Sequence, residues 1–311
     1  MRNPLKLLFL FGVNPATGYG HKFRSLALAK AAQERGHTVT IASDQKPPSQ
    51  FQWFQVEYLN QAQLFGALEI AKPDWLIVDL PHTPPEWIRV MYGGKILTLN
   101  GIGYNQGDGA DLRIIQGAAE VELPGEQDKV PVLKGLEYII LRPEIAKHKG
   151  VPRGEFSLVW GGGSDSTGTL QAMAGWFPNE RAFFLVADMT PIPLLESTCH
   201  WLLKLDQDSD NFLWWLARCK RLITNFGMVV PEAIYLQTPV FSINASELHL
   251  AFASPLAEQG LIKNFPAVGL PSREEMERFL GEEFKPVVND QIGIKGGLRV
   301  IKAIEERSYE D

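Results

Sequence analysis

Cysteine is scarce in this chain, with only Cys199 and Cys219 among 311 residues. Two cysteines this far apart form neither a disulfide framework nor a metal-spaced pair, so they predict reduced thiols in a cytoplasmic protein. Long apolar runs are missing too, and without about 18 consecutive apolar residues we expect no transmembrane segment. The short apolar run 7–13 is followed by Asn-Pro and no A-x-A site, which predicts a buried strand rather than a secretory signal.

Positive charge is also in short supply. The chain has 30 Lys and Arg residues against 36 Asp and Glu, a net charge of -6. Because a surface that coats nucleic acid needs clustered basic residues, we expect no nucleic-acid partner. A phosphate-bearing small molecule can still bind locally, through backbone N–H groups at a helix N-terminus.

The rest of the composition is that of a globular protein, with 45% hydrophobic and 21% charged residues. At about 100 to 200 residues per domain, the length predicts two domains. Short apolar strands, one of them predicted at 138–141, alternate with helical patterns throughout. This predicts an α/β fold of two Rossmann-like, doubly wound domains facing a cleft. The Pro- and Gly-containing segment 143–154 places the boundary between domains 1–148 and 149–311. The last helix, near 297–306, is predicted to pack back on the N-terminal domain.

Three loops between a predicted strand and a predicted helix are candidate ligand sites, since open α/β sheets bind ligands at the carboxyl ends of strands. The first contains Gly18, Tyr19, Gly20 and His21. A histidine in the first helical turn can orient or deprotonate a hydroxyl or a water, because its ordinary pKa is about 6.5. A glycine turn with a histidine that only hydrogen-bonds the loop explains this motif equally well.

The second loop is the run of three glycines, Ser164 and Asp165 that begins at Gly161. Its spacing fits neither a dinucleotide fingerprint nor a P-loop. Successive glycine amides beside a helix N-terminus favour binding of an oxyanion. Alternatively, Ser164 or Asp165 is only a helix N-cap.

The third loop runs from Asn225 through Gly227 to Glu232. A carboxylate accepts two hydrogen bonds from vicinal ribose hydroxyls while the amides of the turn contact phosphate, so the loop suggests a nucleotide site. Taken alone, the simpler interpretation is that Glu232 complements the dipole of the next helix.

Taken together and in order, these segments resemble the GT-B superfamily. The closest resemblance is to the UDP-sugar hydrolases of pseudaminic acid biosynthesis and their spore-coat polysaccharide relatives, and a more distant one is to the peptidoglycan N-acetylglucosaminyltransferase. The segments that carry the resemblance are 18–24, 136–144, 162–165 and 223–239.

This resemblance implies an enzyme that binds a nucleotide-sugar, expected to be UDP-linked, and acts at its anomeric carbon without a cofactor. His21 would position the nucleophile, and Asp79, at the end of a strand, is a second catalytic candidate that contacts the sugar or water. The residues expected to bind the nucleotide-sugar are Gly18, Gly20, Arg24, Gly163, Ser164, Asp165, Asn225, Gly227, Glu232, Glu247 and His249. Gly163 and Ser164 would contact the diphosphate and Glu232 the ribose.

The chain departs from the family at two places. Phe226 and the segment 228–230 replace a glycine and a hydroxyl residue, and 247–249 replaces an Asn-Gln pair that precedes the following helix. Because the second change alters the groups that would read the sugar, we favour transfer over hydrolysis. The acceptor, whether a sugar, lipid or protein hydroxyl or water, stays open, as does a nucleotide-sugar binding protein without turnover.

Two further motifs are interpreted structurally. Asp208 and Asp210 match a metal-binding D-x-D pattern, but they directly precede an apolar helix, so we interpret them as N-capping residues and expect no metal. Trp214 and Trp215 lie in that helix and are predicted to serve core packing and an interface.

Overall fold

A computed structural model shows how the chain folds. It describes residues 3–13, 19–57, 60–80, 86–100, 109–122, 130–162, 165, 168–177, 181–187, 192–194, 200–204 and 211–309. The chain divides into two compact units, one formed by Met1–Arg142 with Gly293–Asp311 and the other by Pro143–Ile292. The division falls slightly before the boundary that the sequence suggested, and the last helix groups with the first unit.

The first unit contains a parallel sheet in the order β3-β2-β1-β4-β5-β6-β7 among the described residues. Its first strand is apolar on both faces, as expected for a central parallel strand. The strands are β1 Lys6–Phe11, β2 Thr38–Ser43, β3 Gln52–Gln55, β4 Trp75–Asp79, β5 Lys95–Asn100, β6 Leu112–Ile115 and β7 Val132–Lys134. The helices are α1 Gly20–Glu34, α2 Gln61–Ala71 and α3 Glu86–Met91, and a 3₁₀ helix spans Leu136–Tyr138.

The second unit contains a parallel sheet in the order β10-β9-β8-β11-β12-β13 among its described residues. A 3₁₀ helix, Pro143–His148, opens the unit. The strands are β8 Ser157–Trp160, β9 Ala182–Val186, β10 His200–Lys204, β11 Arg221–Asn225, β12 Val240–Asn244 and β13 Lys263–Val268. The helices are α4 Thr169–Met173, α5 Asn211–Arg218, α6 Val229–Tyr235, α7 Glu247–Glu258 and α8 Arg273–Gly281, and α9 Gly296–Tyr309 returns to the first unit.

Each sheet has a switch point, where chain connections leave in opposite directions. In the first sheet β1 pairs with both β2 and β4, and in the second β8 pairs with both β9 and β11. Ligands of open α/β sheets bind outside the carboxyl ends of the strands at such points. A ligand site in each unit is therefore expected at the loops after β1 and β4 in the first unit and after β8 and β11 in the second.

One predicted strand is wrong. The segment 138–141 was expected to be extended in a sheet, but the chain forms a 3₁₀ turn there and then runs past the side chain of Gln116. Nε2 of Gln116 donates to the carbonyl of Tyr138 at 3.0 Å, and its Oε1 accepts from the amide of Ile140 at 2.9 Å. This one amide side chain satisfies the backbone groups that a neighbouring strand would otherwise bind.

The last helix is fixed to the first unit by close packing and by charge. At Gly296 a Cβ atom would lie 1.8 Å from the carbonyl oxygen of Ile139, so only glycine allows this approach. Glu305 accepts from Nε and Nη2 of Arg35 at 3.0 and 2.7 Å and pairs with Nε2 of His37 at 2.9 Å. Burial opposes ionisation of Glu305, but these two partners outweigh it and lower its pKa.

Neighbouring glycines of α9 provide a matched test of this packing. Gly296→Ala should destabilise the protein by roughly 1 to 3 kcal/mol, because its methyl group overlaps backbone that must move. Gly297→Ala places its Cβ 3.5 Å from Ala31, an ordinary contact, and should be neutral or stabilising by up to about 1 kcal/mol. Urea unfolding of both variants checks this, and equal stability of the two would contradict the packing described.

Candidate functional site

The centre of the polar cluster in the first unit is Asp79, the last residue of β4. Its side chain is fully buried, and its carboxylate has three neighbours on α1. Nδ1 of His21 lies 2.6 Å from Oδ1, Nε of Arg24 donates to Oδ2 at 2.9 Å, and Oγ of Ser25 donates to Oδ2 at 3.0 Å. Nη2 of Arg24 also donates to Oδ1. Four donors occupy the four acceptor positions of this carboxylate.

The geometry follows from helical spacing and from sheet order. His21, Arg24 and Ser25 are at positions i, i+3 and i+4, so they lie on one face of α1. That helix follows β1, whose last residue, Phe11, pairs with Asp79 on the adjacent strand. The cluster therefore lies at the switch point of the first sheet.

The contacts of Asp79 decide which nitrogen of His21 carries the proton. An ionised carboxylate can only accept, so Nδ1 carries a proton, and in the neutral imidazole Nε2 has the lone pair. Nη2 of Arg24 also lies 3.2 Å from Nδ1, but two N–H donors face each other there and this contact is not a hydrogen bond. The imidazole is 15% exposed, and its neutral form presents Nε2 as a proton acceptor.

Asp79 is held ionised by its partners. Burial raises the pKa of a carboxyl group, but the charges of Arg24 and His21 and their hydrogen bonds outweigh it here and lower the pKa of Asp79 to about 2. The guanidinium of Arg24 is itself nearly inaccessible. Both charges are buried, and each compensates the other.

Two expectations for these residues change. The sequence suggested that Asp79 contacts the sugar or water, but its carboxylate is fully buried and its acceptor positions are taken by groups of α1. Arg24 was expected to bind the nucleotide-sugar, whereas its Nε and Nη2 bind Asp79. Ser25 was missed, although its i+4 spacing from His21 was a usable signal. Gly20 is the first residue of α1, and Gly18 lies outside the described residues.

A second carboxylate anchors the start of the loop after β1. Both oxygens of Asp44 accept from the amide of Val13, at 3.0 and 3.1 Å. Burial raises the pKa of Asp44, against the hydrogen bonds from the backbone. The sequence analysis missed this residue, although a carboxylate just after β2 lies beside the end of β1 in a parallel sheet.

In the second unit, Asp165 supports the loop after β8. It has a left-handed backbone, with φ of 45°, and its two oxygens accept from the amide of Leu170 at 3.0 and 3.1 Å. A Cβ on Gly161 would lie 2.5 Å from Oδ1 of Asp165, so glycine makes room for this carboxylate. Asp165 thus binds an amide in the first turn of α4, but the N-cap residue of that helix is Gly168 and not Asp165. The proposed diphosphate contacts, Gly163 and Ser164, lie outside the described residues.

Two loops are joined across the switch point of the second sheet. Nδ2 of Asn225, at the end of β11, donates to Oγ1 of Thr169, the first residue of α4, at 3.1 Å. Glu232 lies in the first turn of α6 and is 4% exposed. Gly227 lies between them, just before α6. The segments predicted to bind one nucleotide are thus connected in the structure.

His249, near the start of α7, is held by the N-cap residue of that helix. Oγ of Ser246, the N-cap, accepts from the amide of His249 at 3.3 Å and lies 2.7 Å from its Nδ1. Burial lowers the pKa of His249, which favours the neutral imidazole. Glu247 is exposed in the same turn.

The described residues contain no grouped metal ligands and no membrane-spanning helix. Within the described part of the chain, no three His, Cys, Asp or Glu side chains are grouped to hold a metal ion. Asp208, Asp210 and Cys199 lie outside that part. None of the helices the structure describes is long and apolar enough to span a bilayer.

Comparison with known proteins identifies the fold. No protein-family model and no curated protein sequence matches this chain. The solved structure of the kitacinnamycin glycosyltransferase is similar, with a TM-score of 0.62, 14% identity, and coverage of 99% of this chain and 100% of that one. Acinetobacter baumannii MurG has a TM-score of 0.58, 13% identity, and coverage of 97% and 99%. The chain has the GT-B fold.

A third similar structure is that of a UDP-GlcNAc 2-epimerase from Methanocaldococcus jannaschii, solved in complex with UDP-GlcNAc and UDP. Its TM-score is 0.59 at 10% identity, with coverage of 97% of this chain and 100% of that one.

The low pKa of Asp79 predicts a pH-dependent contribution to stability. A carboxyl group whose pKa falls from 3.8 to about 2 on folding contributes about 2 kcal/mol, present above pH 4 and lost as the pH falls towards 2. Asp79→Asn should therefore be less stable than wild type at neutral pH, by roughly 3 to 5 kcal/mol since Arg24 loses its counter-charge. The difference should narrow below pH 4.

Urea unfolding of both proteins between neutral pH and pH 2 measures this. Glu34→Gln, on an exposed position of the same helix α1, is the matched control and should change little. A stability difference for Asp79→Asn that does not change with pH would refute the linkage.

Proposed function

We propose that this chain is a glycosyltransferase that takes a sugar from a nucleotide-sugar, UDP-linked by preference, and transfers it to an acceptor hydroxyl with His21 as general base. The observation that carries this proposal is the pair formed by His21 and the buried, ionised Asp79. A fixed tautomer with a basic Nε2 is what deprotonation of a hydroxyl requires.

The residues present can carry out this displacement with protons and electrons balanced. Nε2 of His21 takes the proton of the acceptor hydroxyl as its oxygen bonds to the anomeric carbon. The bond from that carbon to the diphosphate oxygen breaks, and its electron pair leaves with the nucleoside diphosphate. Asp79, 2.6 Å from Nδ1, stabilises the imidazolium that forms. One such displacement inverts the configuration of the sugar.

The second unit would bind the nucleotide. We assign the diphosphate to the glycine loop after β8, with Gly163 and Ser164 as its contacts, and the ribose to Glu232. Asp165 and Asn225 then act by holding these loops in place, through Leu170 and Thr169. The imidazole of His249 and the carboxylate of Glu247 would read the sugar, because both lie at the start of α7 after β12.

Hydrolysis is the second candidate, since the same Nε2 can deprotonate a water molecule. Transfer is favoured by the altered segment 247–249, which differs from that of the hydrolases the sequence resembles. Release of UDP from a panel of UDP-sugars, with and without added acceptors, separates the two. Acceptor-dependent release supports transfer, and equal release without an acceptor supports hydrolysis.

Substitutions of the catalytic pair should affect turnover more than binding. His21→Ala should lower kcat by roughly 10² to 10⁴, the usual contribution of a positioned base, and leave the Kd for UDP nearly unchanged. Asp79→Asn should also lower kcat, because an amide fixes the tautomer of His21 less strongly. Glu34→Gln is the control in the same helix. Full turnover by His21→Ala would show that the base is elsewhere.

Nucleotide binding should depend on Glu232 and not on a metal. Glu232→Gln keeps the buried shape but weakens the acceptor, and we expect it to cost about 1.5 to 3 kcal/mol of UDP binding. Glu258→Gln removes the same charge from an exposed position and should have no effect. Calorimetry with UDP in EDTA checks both points. Unchanged affinity in Glu232→Gln would remove the ribose assignment, and loss of binding in EDTA would bring Asp208 and Asp210 back as metal ligands.

A further inference from the structure

Unit two carries an aromatic surface that the proposed reaction does not use. It consists of Phe156, Phe183, Trp201, Trp214 and Trp215. Centroids of neighbouring rings are 5.0 Å apart for Phe156 and Phe183, 4.8 Å for Phe183 and Trp215, 6.1 Å for Phe183 and Trp201, and 5.0 Å for Trp214 and Trp215. Trp201 is 50% exposed and Trp214 is 41% exposed. Two of the three tryptophans of the surface are therefore partly exposed to water.

The exposure has a simple structural cause. Phe183 and Trp201 are paired in register on β9 and on β10, the end strand of the sheet order. The helix against this face, α5, has only eight residues, a length of about 12 Å. Trp215 of this helix packs on Phe156 and Phe183, whereas the helix does not cover Trp201.

The border of this aromatic surface is cationic. Arg181 and Lys220 are the neighbours of Phe156 on the adjoining strands, since the carbonyl of Arg181 accepts from Ser157 at 3.0 Å and the amide of Lys220 donates to Phe156 at 2.8 Å. Arg181 and Lys220 therefore lie beside Phe156, just before the amino ends of β9 and β11. Both are exposed.

A third cation lies on α5 itself. The guanidinium carbon of Arg218 lies 4.4 Å from the ring centroid of Trp214. The helix α5 has no acidic residue. Among the described residues, Arg181, Arg218 and Lys220 thus place positive charge beside the exposed tryptophans in a chain of net charge -6, which makes this surface complementary to an anionic partner.

We propose that the surface formed by the five aromatic residues, with Arg181, Arg218 and Lys220 at its border, binds the headgroup region of an anionic lipid bilayer. Tryptophan prefers the membrane interface, where one part of its ring system is apolar and another wet. Arginine and lysine beside it interact with anionic headgroups. The protein thus attaches peripherally, by the face of unit two at the amino ends of its strands.

Sedimentation with lipid vesicles tests this proposal on the whole chain. The protein should bind vesicles of phosphatidylcholine with phosphatidylglycerol, bind much less to phosphatidylcholine alone, and be released by high salt. Trp201→Gln with Trp214→Gln should weaken binding by roughly tenfold or more. Arg181→Gln with Lys220→Gln should weaken it by about fivefold for each charge removed.

The control is Phe65→Gln with Ile70→Gln, which removes a similar exposed apolar pair from α2 in the other unit. It should bind vesicles like wild type. Thermal melts establish that every variant is folded, and the charge variant tests the proposal even if loss of the tryptophans impairs folding.

Three results would overturn the proposal. One is the absence of binding to any vesicle, and another is equal binding by wild type and both patch variants. The third is a dimer in sedimentation equilibrium that the tryptophan substitutions dissociate, since the surface would then be an interface between two copies of the chain.

Discussion

The interaction on which the candidate site depends is the burial of one carboxylate, that of Asp79, under α1. A fully buried charge requires compensation, and Arg24 and His21 provide it at 2.6 to 2.9 Å. The same contacts fix the imidazole tautomer, the position of α1 on β4 and the ionised state of Asp79. Stability and the proposed chemistry therefore rest on one set of hydrogen bonds.

Both units repeat one structural solution. At each switch point, the last residue of one strand binds the start of the helix that follows the neighbouring strand. Asp79, at the end of β4, binds α1, and Asn225, at the end of β11, binds Thr169 of α4. Beyond the ends of the strands, polar side chains thus connect the segments that backbone hydrogen bonds connect within the sheet. A loop supported in this way keeps its amides and side chains oriented for a ligand, which reduces the ordering cost of binding.

Sequence patterns predicted the fold well because parallel strands and amphipathic helices depend on local apolar periodicity. They also selected His21 and Asp79, since both end or follow a predicted strand. They could not show that the two side chains meet, because this contact depends on β1 lying next to β4. The strand predicted at 138–141 is wrong for the same reason, because the backbone of this segment binds the side chain of Gln116, which is distant in sequence. Spacing within α1 was the unused signal for Ser25.

The tautomer of His21 is measured most directly by ¹⁵N NMR of the imidazole nitrogens at neutral pH. Its resonances are assigned among the six histidines by comparison with His21→Gln. We expect a protonated Nδ1 and an unprotonated Nε2 in wild type, with the preference weakened in Asp79→Asn. A protonated Nε2 in the wild-type protein would contradict the role of His21 as general base.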